Sequence, residues 1–304
     1  MRNHKYESVL MKSLRHLGLT KLRWSVRRLH VPCSSNDLVL EVGAGGNIYP
    51  RANVLLDAEE SSKERIENNL IKDRPLVLGL CEKLPFKTNS FDFVIASHVL
   101  EHTDEPEMFL KELMRVGKAG YIETPDGWFE KMCAFTYHRL ECSDLDGCLT
   151  IEKKEKWKSG ILSKVWDLKL SKSKLFAKLL RTNPDLNTMR YYWKGDINYN
   201  IINPEVDASW EYPSGINDMK FKYTFIYGLL SKFRDYYLNT RRWLFSQRSR
   251  NSKLDIVELL MCPDCNGSIV KVEHLICENC KRSYHFENGI PVMFPTSVDG
   301  FVRR

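Results

Sequence analysis

The pattern of apolar and polar positions changes once along the chain, after Pro125. Between Asp37 and Pro125, short apolar runs are separated by segments with the length and apolar spacing of helices. Such alternation predicts βαβ units and a parallel sheet. The runs predicted as strands are Leu38–Val42, Asn53–Asp57, Pro75–Leu80, Phe91–Ala96 and Gly120–Glu123.

Helices are predicted both before the first of these strands and between the strands along the sequence. Before the last strand, Pro106 stands in a predicted first turn, apolar residues recur on one face, and Gly117 lies near the end. Residues 5–30 have apolar positions at helical spacing among basic ones, which predicts one or two lead-in helices.

The segment from residue 126 to residue 250 is less periodic and rich in aromatic residues. It has six of the seven tryptophans, and its 22 Lys and Arg against 15 Asp and Glu account for the whole net charge of +7. A polyanionic partner would have to bind here, although most such aromatic residues belong to a core. The polar, basic residues 247–253 predict a linker. We therefore expect domains at residues 1–155, 156–252 and 253–298.

Composition narrows the class of protein. The chain of 304 residues is 43% hydrophobic and 28% charged, which is typical of a soluble globular protein. No apolar run approaches the roughly 20 residues that a membrane helix needs, and residues 1–30 lack the apolar block of a secretory signal. Nine cysteines, four of them in two Cys-x-x-Cys pairs, favour metal binding in a reducing compartment. We expect a cytoplasmic protein.

A glycine-rich turn, Gly43-Ala44-Gly45, follows Glu41 and the first predicted strand. Glycine permits positive φ there and lets a ligand approach the main chain. A dinucleotide-binding turn would have a third glycine where this sequence has Ile48, so the pattern favours a ligand without a pyrophosphate. Asp57 ends the second strand, and its carboxylate can accept hydrogen bonds from both ribose hydroxyls. Taken alone, Asp57 would more often be a helix cap or a solvated turn residue, but its spacing from the glycine-rich turn favours ligand binding.

These features resemble the class I S-adenosylmethionine-dependent methyltransferases, in particular the branch with the ubiquinone-biosynthesis methyltransferases. Three further segments contribute to the resemblance, which covers residues 38–125: Glu82-Lys83-Leu84-Pro85-Phe86, Phe91-Asp92-Phe93-Val94-Ile95 and Ser97-His98-Val99-Leu100-Glu101-His102. The resemblance implies an α/β fold with a seven-stranded Rossmann-like sheet and the cofactor across the carboxyl ends of its strands. The residues that it implies for cofactor binding are Glu41, Gly43, Ala44, Gly45, Asp57, Cys81, Glu82 and Ser97.

The segment from His98 to His102 admits two chemistries. It fits H-x-x-E-H, a zinc signature of peptidases that needs both histidines on one helical face. The strand predicted just before it places His98 at a strand-to-helix junction, which disfavours the peptidase. In a methyltransferase this segment lies beneath the reactive methyl group, where an alcohol acceptor profits from a base. His98 and His102 are therefore the candidate bases, and purely local hydrogen bonding is the alternative for both.

The acceptor is predicted from what this segment lacks. Family members that methylate amines or amides often have an Asn/Asp-Pro-Pro-aromatic turn, and Ser97-His98-Val99-Leu100 in its place favours an oxygen acceptor. Residues 123–126 and 137–139 should face the acceptor pocket.

Two Cys-x-x-Cys pairs with eleven residues between them mark the C-terminal unit. Four thiolates can close a tetrahedron around Zn²⁺, and a saturated site stabilises a unit too small for its own core. Buried or disulfide-bonded cysteines are the alternative. The flanking residues resemble the zinc-ribbon methyltransferase-activator family, which implies a module that packs on the catalytic domain of the same chain. The expected ligands are Cys262, Cys265, Cys277 and Cys280.

Taken together, the sequence predicts a methyltransferase with S-adenosylmethionine as the methyl donor and Zn²⁺ as a structural ion. We expect O-methylation of a small metabolite or of a glycan or lipid-linked sugar intermediate. Two alternatives stay open: an RNA or protein methyltransferase that uses the basic segment 126–250, and a non-catalytic module that keeps only the fold.

Overall fold

The structure is a computed structural model that describes residues 5–59, 70–158, 160–211, 225–247, 251 and 253–298. Most of the linker predicted at residues 247–253 lies outside this described part. The chain forms two compact units whose segments alternate along the sequence. The first unit consists of Met1–Pro32, Ser97–Glu105 and Tyr121–Leu238, and the second of Cys33–Ala96, Pro106–Gly120 and Asn239–Arg304.

Helices and strands are named here in chain order. The helices are α1 (Val9–His16), α2 (Thr20–Val26), α3 (Pro106–Val116), α4 (Gly127–Cys133), α5 (Ile161–Val165), α6 (Lys174–Thr182) and α7 (Phe225–Ser246). The strands are β1 (Val39–Val42), β2 (Val54–Asp57), β3 (Leu76–Leu78), β4 (Phe93–Ser97), β5 (Ala119–Pro125), β6 (Leu140–Leu145), β7 (Cys148–Lys153), β8 (Thr188–Lys194), β9 (Tyr199–Ile201), β10 (Ile269–Lys271), β11 (Leu275–Cys277), β12 (Ser283–Tyr284), β13 (Phe286–Glu287) and β14 (Ile290–Pro291). Short 3₁₀ turns occur at Arg27–Leu29, Leu100–His102, Pro184–Leu186, Ile256–Leu259 and Thr296–Val298, and Trp166–Leu170 is a π-helical turn.

The second unit is built on a parallel sheet of order β3-β2-β1-β4-β5, to which β5 contributes its first two residues. Val42, which ends β1, pairs with Leu56 of β2 and with Ala96 of β4. Asp57 in turn pairs with Leu78 of β3. Because the strands are parallel and in register, the residues that follow them lie along one edge of the sheet. Strands β1 to β3 are buried at every position, which explains their continuous apolar sequence.

Helix α3 confirms the strongest helix prediction. Phe109, Leu110 and Leu113 form its buried face. Gly117 follows the helix, where a Cβ atom would collide with the side chain of Val94. Glycine is therefore needed at this point so that the end of the helix can approach β4.

The first unit contains the remainder of β5 with β8 beside it, and a separate sheet of order β6-β7-β9. The two lead-in helices predicted over residues 5–30 are present as α1 and α2. The strands β1 to β5, together with β8 beside β5, amount to six strands, whereas the sequence predicts seven. The seventh strand has no counterpart in the described residues. The α/β class of the prediction is confirmed.

Burial separates the aromatic residues of the middle segment into two groups. Trp166 and the run 191–193 (Tyr-Tyr-Trp) are at most 5% exposed and belong to the core. Tyr236 and Tyr237 of α7 are 74% and 52% exposed. The prediction that most of these aromatic residues are core thus holds for the run in β8 and for Trp166. Within the described residues, no helix has both the length and the apolar character required to cross a membrane.

A buried ionic cluster joins the N-terminal segment of the first unit to β8. The fully buried carboxylate of Glu7 accepts a hydrogen bond from Nη1 of Arg23 at 3.0 Å and from Nη2 of Arg190 at 2.6 Å. Asp185 pairs with both arginines. Two guanidinium groups can be buried side by side only because carboxylates compensate their charge.

The replacement Glu7→Gln should therefore lower the free energy of unfolding by about 3–5 kcal/mol, because it leaves two buried guanidinium groups short of one carboxylate. The measurement is urea-induced unfolding monitored by tryptophan fluorescence. The control is Glu155→Gln, which changes an exposed carboxylate and should shift stability by less than about 0.5 kcal/mol. Equal effects of the two replacements would contradict a role for the cluster in stability.

Candidate functional site

The glycine-rich turn of the second unit begins directly after β1. Gly43 and Gly45 have φ of 66° and 56°, in the left-handed region that favours glycine. The amides of Gly43 and Ala44 donate to the carbonyl oxygen of Leu56 at 2.9 and 3.1 Å. Among the described residues, a Cβ atom added at Gly45 would meet no atom within 4 Å. The turn is therefore held against β2 on one side, and the described part of the chain leaves space beside Gly45.

Asp57 fixes this turn through its carboxylate. Oδ2 accepts a hydrogen bond from the amide of Gly45 at 2.8 Å, and Oδ1 accepts one from the amide of Glu59 at 3.1 Å. The residue is 8% exposed. A carboxylate has about four acceptor positions, and these two bonds occupy two of them. Asp57 can shape the turn and accept hydrogen bonds from a ligand at the same time.

Glu41 is buried in β1 and contacts the residues that follow the glycine-rich turn. Its Oε2 accepts a hydrogen bond from the amide of Tyr49 at 2.8 Å, which closes the loop that begins at Gly43. In the structure, this contact gives Glu41 a part in holding the loop.

Cys81 and Glu82 follow β3, whose Leu78 lies opposite Asp57. The amide of Gly79 donates to the carbonyl oxygen of Asp57 at 2.9 Å, which ties this segment to the end of β2. Burial, together with the charges of Glu82 and Asp57, raises the pKa of Cys81 well above its usual value. Cys81 is therefore a neutral thiol. With Cys81 and Glu82, seven of the eight predicted cofactor residues lie along one edge of the sheet of the second unit.

Ser97, the eighth predicted cofactor residue, belongs to the first unit with His98 and His102. Its hydroxyl donates to Oε1 of Glu123 at 3.4 Å. His98 has φ of 59°, and its amide donates to the carbonyl oxygen of Glu123 at 2.7 Å. Nδ1 of His98 is 3.0 Å from Oε1 of Glu101, and Nε2 is 3.6 Å from Oε1 of Glu123.

The two predicted bases have pKa values displaced in opposite directions. Burial disfavours the His98 imidazolium, but hydrogen bonds to Glu101 and Glu123 outweigh it and raise the pKa of His98 to about 9. Burial lowers the pKa of His102 to about 4. At neutral pH, His98 is thus cationic and His102 neutral. Their role as general bases stays a prediction.

The peptidase alternative does not fit this geometry. Glu101 and His102 lie in one 3₁₀ turn, Leu100–His102, while His98 precedes it with a left-handed backbone. The two histidines therefore do not share the face of an α-helix, as H-x-x-E-H zinc binding requires.

Several polar residues around the histidines could not be identified from sequence spacing. Arg27 forms a two-pronged ion pair with the buried Glu123, at 2.9 and 3.1 Å. Glu130 accepts a hydrogen bond from Nδ1 of His138 and from Nζ of Lys154, both at 2.6 Å. Asp126 is a capping residue at the start of α4, so the sequence could have predicted that helix. No sequence pattern, however, predicts that Glu130 of this helix pairs with His138.

The four predicted zinc ligands come together in the second unit. Sγ of Cys262 is 3.7 Å from Sγ of Cys280, and Sγ of Cys265 is 3.4 Å from Sγ of Cys277. All four sulfur atoms lie within 4.8 Å of one another. A Cβ atom at Gly267 would approach Sγ of Cys277 to 2.8 Å, so glycine lets the first turn lie close to the second pair.

The cysteine segment contacts the parallel sheet of the second unit through its main chain. The amide of Met293 donates to the carbonyl oxygen of Leu78 at 2.7 Å, and the amide of Lys87 donates to that of Leu259 at 2.9 Å. Ile290 contributes to the same core cluster as the strands β2 and β3. Residues on both sides of the cysteine pairs are thus bonded to the segment that follows β3.

Residues 40–122 match the family model described as a methyltransferase domain. This part of the chain is a methyltransferase domain of the S-adenosylmethionine-dependent class. A sterol 4-C-methyltransferase of Caenorhabditis elegans is 27% identical over 101 residues, a match that covers 33% of this chain and 30% of the relative. The chain thus spans about a third of the length of that relative.

A second relative matches a different length of chain. A UPF0434 protein of Coxiella burnetii is 38% identical over 52 residues, which are 16% of this chain and 93% of the relative. Over this stretch, the chain belongs to the UPF0434 family. A methyltransferase domain and a UPF0434 segment are therefore both present in one chain.

One solved structure is similar over more of the chain. It is a complex between the Trm112 methyltransferase activator of Haloferax volcanii and a methyltransferase, and the match covers 61% of this chain and 93% of that chain. Its sequence identity is 14% and its TM-score 0.38. At that distance, the likeness adds nothing to the match of residues 40–122 or to the UPF0434 relationship.

The close packing at Gly267 leads to a stability prediction. Gly267→Ala should lower the free energy of unfolding by about 1–3 kcal/mol, because the new methyl group has no room beside Cys277 and Asn279. Urea unfolding measures the change. Gly160→Ala is the matched control, since its backbone has negative φ and no atom of the described residues lies within 4 Å of the added atom. If both variants unfold at the same urea concentration as the parent protein, the packing argument is wrong.

Proposed function

We propose that this chain is an S-adenosylmethionine-dependent methyltransferase whose cofactor binds at the sheet edge of the second unit. The observation that carries the proposal is the turn Gly43-Ala44-Gly45, with two left-handed glycines, space beside Gly45 among the described residues, and a hydrogen bond from Gly45 to the carboxylate of Asp57. This turn lies within the residues that match a methyltransferase domain.

The residues present fit that cofactor. When bound, S-adenosylmethionine supplies a methyl group on a positively charged sulfur. Asp57 accepts hydrogen bonds from the ribose hydroxyls, and the turn at Gly45 brings main-chain atoms close to the ligand without Cβ interference. Cys81 and Glu82 follow β3, whose Leu78 pairs with Asp57, and they would contact the adenosine. Glu41 holds the loop through Tyr49.

We further propose an oxygen acceptor on a small metabolite or on a glycan or lipid-linked sugar. The support is the sequence Ser97-His98-Val99-Leu100, which lacks the proline turn of many amine-methylating enzymes. Transfer forms a carbon–oxygen bond as the carbon–sulfur bond breaks, and the acceptor hydroxyl gives up its proton. Neither His98 nor His102 has a pKa near neutrality, where a base works best. Positioning of the acceptor is therefore the main contribution of the protein, and the proton passes to solvent.

The first test is binding of S-adenosylhomocysteine, measured by isothermal titration calorimetry. Asp57→Ala should weaken binding about 10- to 100-fold, because hydrogen bonds to a charged group contribute about 1.5–3 kcal/mol. Gly45→Val should weaken it as well, because a branched side chain is strained at φ of 56° and enters the open space.

Glu107→Gln, which changes an exposed carboxylate on α3, should bind like the parent protein. A parent protein that does not bind S-adenosylhomocysteine would support the non-catalytic module instead. Unchanged affinity in both Asp57→Ala and Gly45→Val would remove the proposed cofactor site.

For the C-terminal part, we propose a structural zinc ion held by the four cysteines. The support is the donor set itself, four thiol groups within 4.8 Å that can saturate a tetrahedral Zn²⁺. We also propose that this unit is the UPF0434 segment and that it stabilises the methyltransferase domain of the same chain. The main-chain hydrogen bond from Met293 to Leu78 gives it a direct connection to the strand beside Asp57.

Cys265→Ser should therefore release zinc and weaken S-adenosylhomocysteine binding together, because the loss of a structural ion loosens the segment bonded to β3. Metal content by elemental analysis and affinity by calorimetry provide the two readouts. Cys33→Ser is the control, since Cys33 lies outside the four-cysteine group. Zinc loss with full retention of ligand affinity would separate the ion from the function of the methyltransferase domain.

A further inference from the structure

A second group of metal-ligating side chains lies in the first unit. One ligand atom from each of Glu101, His102 and His138 lies within 4.8 Å of those of the other two. Glu101 is 1% exposed and His138 is 5% exposed. The group joins the 3₁₀ turn that follows β4 to the segment between α4 and β6. It shares no residue with the four-cysteine group.

Both histidines are oriented by an acceptor at Nδ1. Nδ1 of His102 is 3.2 Å from the carbonyl oxygen of Tyr137, and Nδ1 of His138 is 2.6 Å from Oε2 of Glu130. A carbonyl or ionised carboxylate oxygen only accepts, so in each ring Nδ1 has the proton and Nε2 keeps a lone pair in the neutral form. Metal-binding histidines are typically oriented in this way, by a carboxylate or a carbonyl group at the other nitrogen.

The carboxylate of Glu101 is incompletely satisfied. Oε1 accepts a hydrogen bond from Nδ1 of His98 at 3.0 Å. Oε2 is buried and has no hydrogen-bond partner among the residues that the structure describes. A buried acceptor without a partner destabilises the fold, because it has lost its hydrogen bonds to water. A bound cation would satisfy this oxygen, so Glu101 is an independent indication of a ligand.

The surrounding residues compensate the other charges. Glu130 accepts a hydrogen bond from Nζ of Lys154 at 2.6 Å, so its role toward His138 is orientation. Lys154 also donates to the carbonyl oxygen of His138 at 3.0 Å, which fixes that residue from a second side. The ring of His102 lies parallel to that of Tyr137, with 5.7 Å between ring centres. Both imidazoles are thus held in place by packing and by hydrogen bonds.

We propose that Glu101, His102 and His138 bind a divalent transition-metal ion, through Oε2 of the glutamate and Nε2 of each histidine. Two imidazoles and one carboxylate suit Zn²⁺ or Fe²⁺. Bond lengths of about 2.0–2.2 Å place any two ligand atoms at most about 4.4 Å apart, so the three ligand atoms, which lie within 4.8 Å of one another, must move closer together when the ion binds. Unlike the four-cysteine site, three ligands leave coordination positions open to water or to an oxygen of a ligand.

This assignment differs from the zinc motif in the sequence. The ion takes Glu101 and His102 from the H-x-x-E-H segment, but its third ligand is His138. His98 pairs instead with Glu101 and Glu123. Metal binding gives His102 a role other than that of a base, and it is independent of the proposed methyl transfer.

The test counts zinc ions in the full-length protein. Protein stripped with a chelator is dialysed against Zn²⁺ and analysed for metal and protein content. The parent protein should hold two equivalents, and the double replacement Cys265→Ser with Cys280→Ser should hold one. His138→Gln should also hold one, because it removes a single ligand atom. The matched control, His16→Gln, changes an exposed histidine of α1 and should hold two.

Cobalt(II) distinguishes the two sites by absorption. Thiolate ligands produce charge-transfer bands, whereas a site of nitrogen and oxygen ligands does not. The parent protein should therefore take up a second equivalent of Co²⁺ without further charge-transfer absorption, and His138→Gln should abolish that uptake. A parent protein that binds a single equivalent, all of it with thiolate bands, would overturn the proposal without reliance on any variant. Retention of both equivalents by His138→Gln would do the same.

Discussion

The hydrogen bond between the carboxylate of Asp57 and the amide of Gly45 is the interaction on which the candidate cofactor site depends. It joins the end of β2 to a turn that must adopt positive φ twice within three residues. The bond is possible because β1 and β2 are parallel and in register, so their carboxyl ends meet at one edge. Without it, the turn would lose the anchor that holds its open side toward a ligand. The loop chemistry therefore follows from strand register, and the register follows from buried apolar runs.

The first unit contains several buried carboxylates, and the negative charge of each is compensated by different partners. Glu7 is surrounded by arginines, Glu123 accepts both arms of Arg27, and Glu130 pairs with Lys154. Glu101 is the exception, since only one of its oxygens has a hydrogen-bond partner among the described residues. A buried charge is tolerated when its hydrogen bonds are complete, and a bound ion is one way in which an incomplete set is satisfied. This contrast, more than the histidines themselves, distinguishes Glu101 from its neighbours.

The sequence predicted the parts of the molecule whose signals are local. The five strands up to Glu123 and helix α3 were predicted because buried parallel strands and an amphipathic helix leave clear periodic patterns. The four cysteines were predicted from spacing alone, and the structure brings their sulfur atoms together. Strand β8 was not predicted, because Arg190 interrupts its apolar run. That arginine is buried against two carboxylates, and one of them, Glu7, lies 183 residues away.

The polar partners of the histidines could not be predicted for the same reason. Arg27 and Glu123 are 96 residues apart, and His138 meets His102 only through the fold. No spacing rule covers such pairs, whereas a Cys-x-x-Cys turn determines its own geometry. The H-x-x-E-H motif fails in the opposite way, because the sequence suggests a zinc site that the backbone does not form. The spacing of the motif is correct, but the backbone at His98 is left-handed. Local pattern is informative only where local backbone geometry decides the contact.

The interleaving of the two units along the chain has a consequence for synthesis on the ribosome. Each unit is assembled from three separate segments, and the second needs residues beyond Asn239. Strands β1 to β4 are translated well before the segment whose Met293 bonds to Leu78. In the nascent chain, the edge of β3 therefore stays uncovered until that segment has been translated, and exposed strand edges promote aggregation and chaperone binding during this period.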